Sequence, residues 1–305
     1  MGGNISLSDT SILKGIAILM VVIGHIGQAI PGLRVFTPLG AIGVGIFLLC
    51  SGYGIEKSVA KNGPNKYWYK RLLNVWVPYV LVELLALPLH WECGWLTVLK
   101  DLTLIQPLHP FGWYMRFLFV WYILYYVSTF TGKYKLSLLL IASIVIWCLF
   151  DSLHAQNAFS FVVGVMMAQL KVLESLWKRK YVLIGLVISV VFFIFRDYTK
   201  NHYHDIHLLW NSVSLIYYVA LIMTVVISYK LLSISNVKLP YKGLTIIGVY
   251  SYEMYLIHGY AYSVLDTPVS VLMVTKFTMI CIIGSFLFHK LSRSFVEHIK
   301  QQISK

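Results

Sequence analysis

Charged side chains are scarce in this sequence. Asp, Glu, Lys and Arg make up 12% of its 305 residues, whereas 58% are hydrophobic and the mean hydropathy is +0.74. Soluble domains carry about 25% charged residues, so the composition excludes a soluble enzyme. It indicates an integral membrane protein.

The sequence is also poor in cysteine, repeats and low-complexity stretches. Its four cysteines form no CxxC pair, so neither a disulfide framework nor a zinc site is expected. We find no repeated half and no biased segment, and the loops are too short to hold a soluble domain. We therefore expect a single transmembrane domain over residues 1–305, without a fused soluble domain, to carry the whole function.

Long apolar runs dominate the chain instead. A hydrocarbon core about 30 Å thick needs roughly 20 apolar residues in a helix, and such runs recur between short polar loops. We predict an all-α polytopic bundle of about ten transmembrane helices, with a central cavity that reaches both faces. The first run is too long for a cleaved signal peptide and is expected to remain as a helix. The predicted spans are 12–30, 39–56, 74–89, 112–130, 136–150, 155–170, 181–195, 208–229, 244–264 and 269–288. Three of them, 74–89, 136–150 and 155–170, are short, so a tilted or re-entrant segment or different bounds are the alternatives there.

Acidic residues are outnumbered by basic ones, 12 against 25, which gives a formal net charge of +13. Lys and Arg in short loops are retained on the cytoplasmic side. With the N-terminus inside, 19 of the 25 basic residues fall in cytoplasmic segments, so we predict an even number of spans and two cytoplasmic termini. The charge therefore indicates topology and contact with anionic lipid headgroups, and not nucleic-acid binding.

One ionisable residue, His25, lies in the first apolar run. A full charge inside the bilayer costs about 3 kcal/mol, so such a residue is a functional candidate, although a histidine bonded to a neighbouring helix is the alternative. Lys14 precedes it by eleven residues, which places both on nearly the same helix face. His258, in the span 244–264, is expected at a similar depth. Ser251 lies on its face, whereas Glu253 points elsewhere and is expected to meet another helix.

Four segments resemble the acyltransferase-3 family of integral membrane O-acyltransferases, which modify cell-surface sugars. They are 9–25, which closes on Gly24-His25; 43–53, which ends in Ser51-Gly52-Tyr53; 67–79, a basic stretch that leads into Pro78-Tyr79; and 248–258, which is similar to the pattern Gly-x-x-Ser-Tyr-x-x-Tyr-Leu-x-His. The likeness extends over residues 9–297. Two departures are Lys14 and Asn74, where family members usually have arginine. Trp113-Tyr114 resembles the fourth-helix motif, but the glutamate that often follows is absent.

The resemblance implies transfer of an acyl group, most often acetyl, from cytoplasmic acyl-CoA to a hydroxyl of an extracytoplasmic or lipid-linked sugar or polysaccharide. Acetyl-CoA or another acyl-CoA would be a co-substrate, with no permanently bound cofactor and no metal. The membrane would be a bacterial inner or plasma membrane. Imidazole is largely neutral and available as a base at physiological pH, so His25 is expected to act as general base or as acyl acceptor, with His258 as a second catalytic residue.

Three basic residues, Lys14, Lys70 and Arg71, are expected to bind the anionic donor; the positive-inside rule alone is the alternative. The side chains that we expect to line the cavity are Ser51, Gly52, Glu83, Trp113, Arg116, Ser251, Tyr252 and Tyr255.

Several of these have a simpler interpretation. Gly52 is equally suited to close helix packing, and Glu83 could bond a tyrosine instead of orienting a histidine. Trp113 and Arg116 are typical interface anchors, with contact between Arg116 and the acceptor as the lesser interpretation. The outer loop 202–207 contains three histidines and an aspartate, but an exposed polar loop is favoured over a metal site.

Two other functions fit a bundle with buried ionisable groups. One is a proton-coupled transporter or exporter of a polar or glycan substrate, which dependence on acyl-CoA would distinguish from an acyltransferase. The other is an acyl carrier that needs a partner to complete the transfer. The oligomeric state and the length of the acyl chain are left open.

Overall fold

The computed structural model describes residues 5–90, 92–170, 175–203, 205–235, 241–265 and 269–303. Within these ranges the chain forms helices and connecting turns with no strand, which confirms the all-α class. The α-helices there are α1 (Leu7–Ala29), α2 (Pro38–Asn62), α3 (Tyr67–Arg71), α4 (Val77–Ala86), α5 (Trp95–Leu102), α6 (Gly112–Ser128), α7 (Lys135–Leu149), α8 (Ser152–Ala155), α9 (Ser160–Gln169), α10 (Arg179–His202), α11 (His207–Ile234), α12 (Tyr241–Val249), α13 (Ser251–Ala261) and α14 (Val271–Ile303).

Seven helical segments within these ranges are long and apolar enough to cross a membrane. One of them, Gly112–Leu149, contains both α6 and α7, which are separated by a 3-10 turn around Gly132. Eight of the ten predicted spans therefore lie in long helices. The protein is an all-α, multi-pass membrane protein.

The other two predicted spans, 155–170 and 244–264, are interrupted. The first is reduced to α9, which at 10 residues reaches only about 15 Å. The second is divided at Tyr250 into α12 and α13. Hydropathy averages over such breaks, which explains why the sequence predicted continuous helices here. Interrupted helices inside a membrane domain occur where the backbone is buried in protein or lines a cavity.

The start of α1 is fixed by a capping box. The Ser6 hydroxyl accepts from the Asp9 N–H at 3.0 Å, and the Asp9 carboxylate accepts from the Ser6 N–H at 2.7 Å. The same carboxylate accepts from the Tyr229 hydroxyl at 2.5 Å and pairs with Lys230 at 3.3 Å. The polar start of α1 is thereby tied to α11.

Helices α1 and α12 cross in close contact. A Cβ atom at Gly15 would overlap the carbonyl oxygen of Leu244, and one at Gly248 would overlap that of Ser11. Glycine at both positions lets the two backbones touch, as in other small-residue helix contacts. Leu13 is fully buried next to this crossing. The crossing fixes α1 against the segment that continues into α13.

Candidate active site

Helix α1 contributes to two cavities at different depths. Lys14 lines the first, of about 310 Å³, and His25 lines the second, of about 490 Å³. Eleven residues of helix separate them by roughly 16 Å. We call them the inner and outer cavities, because the predicted topology places Lys14 at the cytoplasmic end of α1.

An aromatic partition divides the two cavities. It consists of Phe47, Phe111, Tyr114 and Tyr255, and Tyr255 lines both cavities. The Tyr255 hydroxyl donates to the Phe111 carbonyl at 2.9 Å, and its ring lies 4.8 Å from that of Tyr114. The predicted central cavity takes the form of two adjoining cavities in this structure, because edge-on and tilted rings lie between them.

The two predicted catalytic histidines meet at this partition. The ring centroids of His25 and His258 are 5.2 Å apart, which confirms that they share one depth. Phe111 stacks on both rings, at 4.0 Å from His25 and 5.0 Å from His258. Phe111, from the loop before α6, therefore packs against both imidazoles and holds them in fixed orientations.

Hydrogen bonds distinguish the two ring nitrogens of each histidine. His25 Nδ1 lies 3.3 Å from the Gln28 side-chain oxygen; a proton on Nδ1 would make this contact a hydrogen bond and leave the lone pair on Nε2. His258 Nδ1 donates to the Tyr255 carbonyl at 2.5 Å, and its Nε2 is buried without a partner. His258 itself is 0% exposed and does not line either cavity.

A third histidine, His109, supports the partition. Its Nε2 donates to the Leu256 carbonyl at 2.8 Å, and its Nδ1 accepts from the Phe111 N–H at 3.1 Å. Both nitrogens are therefore used, and the residue fixes the loop that carries Phe111. The sequence analysis did not select His109, because a loop residue has no helical spacing to connect it with His25.

The inner cavity gathers basic side chains from three helical segments. Lys14 and Arg71 line it as predicted, and Arg293 of α14 joins them. Arg293 also donates to the Asn74 side-chain oxygen at 3.4 Å. Lys70 does not line this cavity; it donates to the Ser58 hydroxyl at 3.2 Å beside a shallow cleft.

Arg71 occupies a distinctive place in the backbone. A π-helical turn, Leu72–Trp76, follows it and leads into α4. Pro78 has no N–H to donate to the Asn74 carbonyl, so the regular α-helical pattern cannot continue there, and π turns are frequent at functional sites. The Arg71 guanidinium lies 5.7 Å from the centre of the Tyr122 ring, and its Nε is buried without a partner.

Glu253 is the acidic residue in the lining of the inner cavity. It meets another helix, as predicted: His289 Nδ1 of α14 lies 2.9 Å from its carboxylate. Ser251, Tyr252 and Ser51 also line this cavity. The structure therefore places Ser251, Tyr252 and Ser51 in a cavity lining.

Gly52 and Glu83 lie elsewhere. A Cβ at Gly52 would overlap the Phe161 carbonyl of α9, so helix packing accounts for this glycine. Glu83 accepts from the Tyr260 hydroxyl at 2.5 Å and lines neither cavity. The structure therefore supports helix packing as the role of Gly52 and a tyrosine partner for Glu83.

The two predicted interface anchors have different surroundings. Trp113 lines the outer cavity, which is the predicted cavity-lining position. Arg116 is exposed, and its guanidinium reaches only the Ile105 carbonyl at 3.5 Å.

Trp113 is supported by the loop after α7. The His154 ring lies edge-on to Trp113 at 5.5 Å and pairs with Asp151 at 2.8 Å. Burial raises the pKa of Asp151, but hydrogen bonds from His154 and from nearby backbone N–H groups lower it by more, so the net pKa is below the ordinary value of 3.8. Asp151 is therefore ionised at neutral pH and holds α8 as a wall of the outer cavity.

The loop 202–207 shows no ligand cluster in the part that the structure describes. His202 and His207 are exposed, and His204 lies outside the described residues. Across the described chain, no group of three or more His, Cys, Asp or Glu side chains could hold a metal ion.

Comparison with protein families places this arrangement in context. A family model of the acyltransferase-3 type, described as an acyltransferase domain, matches residues 9–289. The chain belongs to the acyltransferase-3 family. It is a membrane acyltransferase, and the resemblance drawn from the four sequence segments is confirmed. No curated protein and no solved structure matches the chain.

The matched residues of this acyltransferase include Lys14 and His25 of α1, the π turn and the whole of α13. Gln28 and Arg293 are lining residues that the sequence analysis did not select. Gln28 follows His25 by three positions, so helical spacing alone could have indicated it. Arg293 gave no such signal, since it is distant in sequence from the basic stretch that it joins.

Proposed function

We propose that this acyltransferase transfers acetyl, or a related acyl group, from cytoplasmic acyl-CoA to a hydroxyl of an extracytoplasmic or lipid-linked sugar or polysaccharide at a bacterial plasma membrane. One observation carries the proposal: α1 contributes Lys14 to a cationic inner cavity and His25 to a separate outer cavity. A donor with several phosphates needs more positive charge than a hydroxyl acceptor, and among the described residues the inner cavity has three basic side chains where the outer cavity has one, Arg196.

The donor binds in the inner cavity. Lys14, Arg71 and Arg293 supply the positive charge for the phosphates, and arginine in particular forms paired hydrogen bonds with phosphate oxygens. The unpartnered Nε of Arg71 supports this role, because a buried donor without an acceptor costs about 1–3 kcal/mol. The thin thioester arm then extends along α1 towards the aromatic partition.

The acceptor hydroxyl binds in the outer cavity beside His25. His25 Nε2 takes the hydroxyl proton while the oxygen forms a bond to the acyl carbon. The carbon–sulfur bond breaks, and the sulfur leaves with its electron pair as the thiolate of CoA. Proton return from His25 to that sulfur completes the balance. General-base assistance of this kind contributes about 10²–10⁴ in rate.

Gln28 and His258 support His25. The bond from Nδ1 to Gln28, 3.3 Å long, keeps the lone pair on Nε2. The free Nε2 lone pair of His258 lies near enough, with ring centroids 5.2 Å apart, to stabilise the positive ring that forms when His25 accepts the proton. An acyl group carried briefly on His25 Nε2 is the other route open to the same residue.

The test uses membranes that contain the wild type, His25→Ala or the matched control His298→Ala, whose histidine is exposed near the end of α14. Labelled acetyl-CoA is added, and alkali-labile ester on endogenous glycans is counted. We expect label with the wild type and the control, and a loss of about 10²–10⁴ with His25→Ala.

Three outcomes separate the alternatives. Unchanged labelling with folded His25→Ala contradicts the role of His25. Label retained on wild-type protein after a brief acid quench selects the covalent route over direct transfer. No label with any variant, across several acyl donors and glycans, favours the transporter.

A further inference from the structure

A basic vestibule adjoins the outer cavity on its outward side. It encloses about 830 Å³, and its lining includes Arg34, Arg196, Asp197 and Lys200. Gln28 and Arg196 line both spaces. A molecule held in the vestibule therefore has direct access to the residue that bonds His25.

The positive charge of this vestibule is unusual for its side of the membrane. Only six of the 25 basic residues fall on the predicted outer side, and three of them, Arg34, Arg196 and Lys200, line this one space. A topology signal does not explain them, because the positive-inside rule acts in the opposite direction. Asp197 is the acidic residue in the same lining, so the vestibule has a net positive charge.

Arg196 is held in place without a counter-ion. Its guanidinium lies over the rings of Trp210, Tyr217 and Tyr218, at 5.1, 5.8 and 5.5 Å from their centres. Its Nε is buried without a hydrogen-bond partner. Among the described residues, no carboxylate forms an ion pair with it. Ring contacts fix the orientation of a guanidinium and leave its N–H groups free for an anion.

Apolar side chains border the charged ones. Phe193 and Val35 belong to the same lining, and they are 49% and 72% exposed. Arg34 and Lys200 are exposed close to them. This combination, at the predicted outer end of α1 and α10, suits a molecule that has both an anionic group and a hydrocarbon chain.

We propose that the vestibule of Arg34, Arg196 and Lys200 binds a phosphate group of an amphiphilic, lipid-linked acceptor, and so presents its sugar hydroxyl to His25. The inference rests on the proposed function and names the acceptor class for the same site. Arg196 is the inner member of the phosphate site, and Arg34 and Lys200 complete it at the membrane surface.

Binding is measured directly, so that the result does not depend on acyl transfer. Purified protein in phosphatidylcholine nanodiscs is titrated with radiolabelled dodecyl phosphate, and empty nanodiscs give the background. We expect saturable binding to the wild type and at least tenfold weaker binding to Arg196→Gln. Lys276→Gln, an exposed outer residue that lines none of the three spaces, should bind like the wild type.

Competition identifies the source of the phosphate. Inorganic phosphate should displace the probe at high concentration, and dodecyl glucoside, which has no charge, should not. Displacement by phosphatidylglycerol as effective as by unlabelled dodecyl phosphate would overturn the proposal, because the vestibule would then hold bulk membrane lipid. Equal binding to Arg196→Gln and the wild type would also overturn it.

Transfer assays separate this proposal from the proposed function. With a phosphate-bearing acceptor, Arg196→Gln should raise KM for the acceptor about tenfold and leave KM for acyl-CoA unchanged. A wild type that binds the probe but transfers no acyl group would contradict the proposed function alone. Transfer that is normal in Arg196→Gln would contradict the vestibule alone.

Discussion

The inner and outer cavities differ in the charged side chains that line them. The inner cavity brings Lys14, Arg71 and Arg293 together around one buried carboxylate, Glu253, which is already paired with His289. The outer cavity presents the imidazole of His25 with an uncharged partner, Gln28. In the part of the chain that the structure describes, the inner cavity therefore gathers three cations, whereas the outer cavity has one, Arg196, which it shares with the vestibule.

The aromatic partition makes this difference possible. Tyr255, Phe111, Tyr114 and Phe47 lie between the cavity lined by Lys14 and the cavity lined by His25. In the proposed reaction the acyl group passes from the inner to the outer cavity, and the ring barrier would keep the two compartments separate.

The largest loss of stability and activity is expected at the crossing of α1 and α12, because both cavities depend on that contact. In Gly248→Ala the new Cβ meets the Ser11 carbonyl, so α1 and α12 must separate. Overpacking of this kind costs about 1–3 kcal/mol, and contact with backbone puts this case at the upper end. We expect a lower melting temperature in detergent and loss of transfer at both the donor and the acceptor step.

Gly243→Ala is the matched control, since nothing lies within 4 Å of a Cβ at that position of the same helix. Alanine there should stabilise α12 by about 0.5–1 kcal/mol. Equal melting temperatures for the two variants would show that the crossing of α1 and α12 is not close.

A smaller effect, confined to the inner cavity, is expected for Arg71→Gln. Loss of a charge-assisted hydrogen bond is worth about 1.5–3 kcal/mol, so KM for acyl-CoA should rise roughly tenfold or more while KM for the acceptor stays unchanged. Arg293→Gln should have a weaker effect, about threefold, because this side chain is exposed. Steady-state kinetics with both substrates varied provides the measurement.

Lys70→Gln is the control for the inner cavity, because Lys70 bonds Ser58 instead of lining it. An effect as large as that of Arg71→Gln would mean that charge near the membrane surface, and not this cavity, attracts the donor.

The smallest effect is expected for Gln28→Leu in the outer cavity. It removes the acceptor for His25 Nδ1, and one neutral hydrogen bond contributes about 0.5–1.5 kcal/mol. We expect kcat to fall by roughly twofold to tenfold with KM for acyl-CoA unchanged. A rise in KM for the donor would show that the two cavities are not independent.

Much of the fold could be predicted from the sequence. Long apolar runs predicted the helices, and helical spacing placed His25 and His258 at one depth, because both methods use only local geometry. The positions of the helix breaks before α9 and at Tyr250 were not predicted, since they depend on cavities and packing, which hydropathy does not measure.

The candidate site was predictable only where spacing or family motifs linked its residues. Lys14, Ser251 and Tyr255 were found in that way. Arg293, His109 and Arg196 come from distant segments and meet the site only through tertiary packing. The Gly52 and Glu83 alternatives were left open for the same reason, because the choice depends on the neighbour that each residue meets.

The most direct test of the two-cavity account is the sidedness of acyl transfer in sealed membrane vesicles. Labelled acetyl-CoA is added to the outside of inside-out vesicles, which expose the cytoplasmic face, and of right-side-out vesicles from the same cells. The account predicts labelled ester in the lumen of the inside-out vesicles and none with right-side-out vesicles. Equal or greater labelling when acetyl-CoA reaches only the outer face would contradict the assignment of donor and acceptor to opposite cavities.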